Sequence, residues 1–115
     1  MRSLAGTPAN AWLETLPQSG LVLLYKHSPI CGTSRRAEKE VAEFAAVHSE
    51  VPVYRLDVVA ERSLARTLAE ALGVTHESPQ AILLKDRSVV WHGSHGEITA
   101  DKLGRVSREA SPAPP

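Results

Sequence analysis

Five consecutive apolar residues, Leu21 to Tyr25, run into Ser28-Pro29 and then into Cys31, the single cysteine of the chain. The run is too short for a membrane span and lacks helical spacing, so it predicts a strand buried on both faces. Pro29 turns Ser28 away from helix and has no N–H to give a sheet ladder. From Arg35 to about His48 the apolar residues Ala37, Val41, Phe44 and Ala45 follow the spacing of one helix face. Cys31 therefore stands where a buried strand hands over to a helix. Unpaired N–H groups and the positive end of the helix dipole favour a thiolate at such a place.

A lone cysteine cannot close an internal disulfide, so its thiol is inert packing, a ligand, or a reactive group that borrows its redox partner. A chain of 115 residues, 43% apolar, predicts one domain over residues 1–110, with Ser-Pro-Ala-Pro-Pro at 111–115 as a mobile tail. Formal net charge is zero and aromatics make up 4%, which gives no electrostatic or stacking case for nucleic acid or an anionic membrane. Residues 1–18 lack the apolar run of a signal peptide, and no later segment could span a bilayer, so the expected compartment is the cytoplasm.

The remaining elements follow in order. Thr7-Pro8 reads as a helix start, with Trp12, Leu13 and Leu16 as a short apolar face ended by Pro17 and Gly20. Val51 to Val58 reads as a second strand, with Pro52 suggesting an edge. A helix from about Glu61 to Leu72 places Leu64, Leu68, Ala71 and Leu72 on one side and stops at Gly73. Gln80 to Leu84 and Ser88 to His92 suggest an antiparallel hairpin whose turn type Asp86-Arg87 leaves open. A last helix begins near Thr99, with Ile98 and Leu103 as a hydrophobic staple. Two strands separated by a helix join most easily in parallel, so the class is α/β: a central mixed sheet flanked by helices.

This order, with a cysteine at the first strand-to-helix turn and Ser78-Pro79 before the third strand, resembles the thioredoxin-like fold over roughly Leu21 to Val106. More narrowly, Lys26-His-Ser-x-x-Cys31-x-x-Ser34, followed by a strand ending in Asp57, resembles the monothiol bacilliredoxins. That resemblance implies a thiol-disulfide oxidoreductase that takes bacillithiol off protein mixed disulfides with one cysteine and no resident cofactor. The family commonly carries Cys-Pro-Ile-Ser where this chain has Cys31-Gly32-Thr33-Ser34, and a small polar residue in place of Ile30. Glycine leaves the first helical turn looser than proline would.

On this reading Cys31 is the nucleophile, with Arg35 and Arg36 adding positive potential. Ser34 stands where dithiol relatives have their resolving cysteine; its hydroxyl can donate to the thiolate or satisfy a free backbone group. Pro79 resembles the cis proline that faces the active cysteine, and Ser78 would offer backbone to a bound thiol or peptide. Lys26, His27, Arg35 and Arg36 would form a basic rim for the carboxylates of bacillithiol, with Lys26 foremost and Thr33 beside them. Arg35 and Arg36 are adjacent on a helix and cannot both face the site. His27 either raises the thiolate fraction or makes a structural hydrogen bond. His76 and Glu77 read as surface loop, and His92 and His95 lack a third ligand at zinc spacing.

The expected partners are bacillithiolated proteins and a low-molecular-weight thiol, with the chain a monomer or weak dimer. A rival reading is a thioredoxin-fold adaptor that binds proteins and does no chemistry, since loss of the resolving cysteine is what such a copy would show. An adaptor has no need of a lowered thiol pKa.

Overall fold

The structure, a computed structural model, describes residues 1–111, so the expected tail falls outside it beyond Ser111. Strands β1 (Arg2–Ser3), β2 (Leu21–His27), β3 (Val53–Asp57), β4 (Gln80–Lys85) and β5 (Ser88–Ser94) form one mixed sheet in the order β1-β3-β2-β4-β5. β2 runs parallel to β3 and antiparallel to β4, which pairs with β5 as a hairpin. Helices α1 (Gly32–Val47), α2 (Arg62–Leu72) and α3 (Ala100–Ala110) cover the two faces.

Side chains alternate across a strand, and that alternation sorts the core into two layers. Leu23 and Tyr25 share one layer with Ala81 and Leu83, packed on Ala37, Val41 and Phe44 of α1 and Leu103 of α3. Val22 and Leu24 join Ile82 and Leu84 in the other, against Leu64 and Leu68 of α2 and against Trp12 and Leu16. β2 is thus covered on both sides, which is why its apolar run is unbroken.

The helix ends follow local chemistry. Cys31 is the N-cap of α1, with extended backbone (φ −108°, ψ 122°). α1 begins earlier than apolar spacing indicates, because spacing marks only the buried face and residues 32–34 are not apolar. α2 stops at Gly73, whose φ of +66° is the left-handed conformation glycine adopts without steric cost. Beneath α2, Ala65 is buried and Ala71 is exposed, the reverse of the expected placement of Ala71. Thr99 caps α3 by accepting the Lys102 N–H (3.1 Å), and Ile98 and Leu103 are both buried, as a staple requires. Glu40 of α1 also accepts the Ala100 N–H (2.9 Å), fastening α3 to α1.

Two further expectations are corrected. The first helix is a single 3-10 turn, Leu13–Thr15, because Pro8 and Pro17 leave too little chain for a stable α-helix; Trp12 and Leu16 still reach the core. β3 is not an edge strand, since the two residues of β1 pair with it in parallel. Pro52 lies just outside β3, where its carbonyl accepts the Leu23 N–H (2.9 Å). The hairpin turn, whose type the sequence leaves open, has φ of +50° at Asp86 and +66° at Arg87, the pattern of a type I′ turn; aspartate suits the first position but arginine does not favour the second. Tertiary bonds decide the matter: Asp86 Oδ1 accepts the Gly20 N–H (2.7 Å), and Arg87 Nη2 donates to the Leu16 carbonyl (2.7 Å).

Leu83 has no solvent exposure, in the strand next to β2. Leu83→Ala is expected to lower unfolding free energy in urea by about 2–5 kcal/mol. Ala71→Ser, on the solvent side of α2, is expected to change it by less than about 1 kcal/mol.

Candidate active site

Cys31 is partly exposed and lines a cleft of about 310 Å³ with His27, Ser28, Ile30, Arg35 and Glu38. Thr33 Oγ1 lies 3.0 Å from its sulfur. That hydroxyl, followed by the Thr33 N–H, holds the thiol pKa below its ordinary value; desolvation pushes the other way, and Ser34 adds the smallest help. Neither arginine is among the causes, so the charge expected from Arg35 and Arg36 is not what favours the thiolate. The first N–H groups of α1 and one hydroxyl do so instead. Arg35 lines the cleft, while Arg36 is exposed and does not.

Ser34 is fully buried and ties the loop to the helix: its Oγ accepts the Ser28 N–H (3.2 Å), and its own N–H donates to the Cys31 carbonyl (3.1 Å). Below it, the Tyr25 hydroxyl donates to the Ser34 carbonyl (2.9 Å). A phenol has one proton, so the Nδ1 of His27, 2.9 Å from the same oxygen, must carry its own hydrogen and donate it. Nε2 is then the free, basic nitrogen of that ring. Burial lowers the His27 pKa, and Glu38, 3.8 Å from Nδ1, opposes this less strongly. Burial therefore holds His27 toward its neutral form, which lends little positive charge to the sulfur. Arg55 Nε donates to Glu38 (2.6 Å) and completes the chain. Burial also pushes the Tyr25 phenol far up, so it stays protonated.

From sequence Tyr25 reads as core, and nothing in the spacing marks Glu38 or Arg55. The available signal was the hydroxyl itself, since a phenol within a two-sided buried strand must find a partner.

Lys26 is not part of a rim. It is 1% exposed, and its Nζ donates to Gln80 Oε1 (2.8 Å). Gln80 Nε2 in turn donates to the Thr75 carbonyl (3.0 Å), so the pair braces the segment leading to Ser78. Strand alternation explains the difference: Lys26 follows Val22 and Leu24 onto the buried α2 face. Burial lowers its pKa to about 8, against a smaller opposing pull from Glu77.

The Ser78–Pro79 peptide is cis; Pro79 is buried and Ser78 half-buried. Exposed His76 lines a separate cavity with Ser78, and Glu77 pairs with His95 (3.5 Å). Among the described residues, no three His, Cys, Asp or Glu side chains converge as a metal site would need. A larger cavity of about 730 Å³ lies between α1 and α3, but it does not include Cys31, and chemistry rather than size locates the site. No helix among the described residues is long and apolar enough to cross a membrane.

A sheet of this order, with a cysteine capping the helix after β2 and a cis proline entering β4, defines a thioredoxin-fold protein. Solved structures agree. One described as a candidate oxidoreductase with a thioredoxin fold is 28% identical, covers 91% of each chain and superposes with a TM-score of 0.80. Fasciola hepatica thioredoxin (24% identity, 96% of this chain and 100% of that one, TM-score 0.74) and Chlamydomonas reinhardtii thioredoxin f2 (16%, 98% and 99%, 0.72) share the fold. The family model described as monothiol bacilliredoxin BrxC matches residues 8–103, and the chain belongs to that family. Fold and family together place it among thioredoxin-like redox proteins.

Two measurements test this geometry. Thr33→Val should slow alkylation of Cys31 by iodoacetamide at pH 7, while leaving the rate near pH 10 unchanged, where a thiol of pKa about 8.5 is already ionised. For Lys26 the folded pKa of about 8 lies below the unfolded value of 10.5, so the unfolded chain binds more protons between them. Stability should then rise with pH across that window, by roughly 2–3 kcal/mol, and the rise should be absent in Lys26→Met. Urea denaturation of both proteins from pH 7 to 11 reads the difference.

Proposed function

We propose that the chain is a monothiol thiol-disulfide oxidoreductase that removes bacillithiol from proteins held in mixed disulfides. The observation that carries this is a single, partly exposed cysteine whose thiol pKa is lowered by Thr33, with a buried serine in the resolving position. In the first step the Cys31 thiolate attacks the bacillithiol sulfur. A new S–S bond forms to Cys31, the mixed disulfide breaks, and the protein cysteine leaves as a thiolate that takes a proton from solvent. Ser34 has no thiol with which to displace the adduct. A second low-molecular-weight thiol must attack it and return Cys31 as thiolate.

Two further features support a protein substrate. Ile30, beside the nucleophile, is 85% exposed and offers an apolar contact. Ser78 and Pro79 are carried over as substrate-facing residues on the family resemblance. The reaction needs no resident cofactor and suits a reducing cytoplasm, where protein thiols are free to be capped and uncapped. A lowered thiol pKa also favours an enzyme over an adaptor, which has no use for a thiolate.

Intact-mass spectrometry tests the proposal. Wild-type protein mixed with a bacillithiolated protein should gain one bacillithiol on Cys31 and keep it until a small thiol is added; Cys31→Ser should gain none. Modification no faster than that of a free cysteine would remove the enzymatic reading.

A further inference from the structure

A second cavity, of about 420 Å³, opens on the α2 side of Ser28. Its walls include Ser28, Ser78, Val58, Val59, Arg62 and Arg66, and Ser28 is also a wall of the Cys31 cleft. The two hollows share that residue, and the segment before Pro79 borders the second. The volume falls within the range of about 300–1,000 Å³ usual for small-molecule sites.

The apolar side of this cavity is held in place by three hydrogen bonds, one backbone to backbone and two to a carboxylate. The Val58 N–H donates to the His27 carbonyl (2.9 Å), and Asp57 Oδ1 accepts the N–H groups of Val59 (2.9 Å) and Ala60 (3.0 Å). Val59 is left 38% exposed by that arrangement. Arg62 and Arg66, which also line the cavity, stand four residues apart on α2, so they share a face and repel each other. Among the described residues neither guanidinium has a carboxylate within 4.0 Å, although Glu70 also lines the cavity. Two unpaired guanidiniums in one cavity with Val58 and Val59 match a ligand with carboxylates and a less polar body.

We propose that this cavity receives the small-thiol half of the mixed disulfide, with the bacillithiol carboxylates paired to Arg62 and Arg66; the proposal rests on the exchange reaction assigned to Cys31. The thiol's sulfur reaches Cys31 across Ser28, so attack bonds Cys31 to the small thiol and expels the protein thiolate. Carboxylate recognition thereby falls to α2 rather than to Lys26, whose ammonium is enclosed against Gln80.

The test compares two probes, bacillithiol disulfide and the uncharged bis(2-hydroxyethyl) disulfide, on wild type and on Arg62→Ala/Arg66→Ala. Both arginines are exposed and alanine favours helix, so the variant should keep its fold; matching circular dichroism and an unchanged rate of Cys31 alkylation verify that. The expected result is a loss of tenfold or more with bacillithiol disulfide and less than twofold with the uncharged probe. Arg62→Lys/Arg66→Lys should recover part of the loss, and added salt should slow wild type but not the alanine variant. Equal losses with both probes, or none, would overturn the site while leaving the Cys31 reaction standing. Failure of wild-type Cys31 to exchange with either probe would overturn both.

Discussion

Everything at the reactive end of this molecule depends on how the first turn of α1 is fixed to the sheet. The Tyr25 hydroxyl holds the Ser34 carbonyl from below, and the Ser34 hydroxyl holds the Ser28 N–H from the side. Between those two bonds the loop 28–31 has little freedom, even with glycine rather than proline after the cysteine. Thr33 is thereby set within 3.0 Å of the sulfur, and the N–H groups of the turn stay directed at it. A lowered thiol pKa is thus a consequence of the Thr33 hydroxyl and the first N–H groups of α1, set in place by the bonds of Tyr25 and Ser34, rather than of surface charge.

The strand also separates two polar systems by parity. Tyr25 and His27 face α1, with Glu38 and Arg55 completing a chain of partnered groups. Lys26 faces α2, where Gln80 and Thr75 continue the line of hydrogen bonds. Buried polar groups are tolerable only when their bonds are made, and each of these has a partner. The Lys26 system braces the approach to Ser78, and the Tyr25 system braces Cys31. The Cys31 loop and the segment before Pro79 are consequently positioned by neighbouring residues of one strand.

Much of the fold was legible because it is written in periodicities. The buried run at Leu21–Tyr25, the helix face of Ala37, Val41 and Phe44, the stop at Gly73 and the cap at Thr99 all report local rules that tertiary structure leaves intact. What was not legible depended on distant partners. The Asp86-Arg87 turn takes its form from Gly20 and Leu16, more than sixty residues away, and β1 contributes only two residues to the edge. Lys26 read as rim because its charge outweighed its parity, although the alternation from Val22 and Leu24 already pointed it inward. The position of Cys31 was evident from sequence; Thr33 as its main hydrogen-bond partner was not, since nothing in spacing alone favours Thr33 over Ser34.

The burial of Ser34 bears on why one thiol suffices. Its oxygen is an acceptor in the bond that orders the Ser28 loop, and sulfur accepts hydrogen bonds weakly. A cysteine at that position would gain the ability to resolve the adduct and lose the contact that shapes the cleft. The hydroxyl makes the opposite exchange: the loop is ordered, and on the proposed mechanism the adduct waits for an external thiol. On that mechanism the residue that leaves the adduct to a second small thiol is the same one whose hydroxyl holds Ser28 between the two cavities.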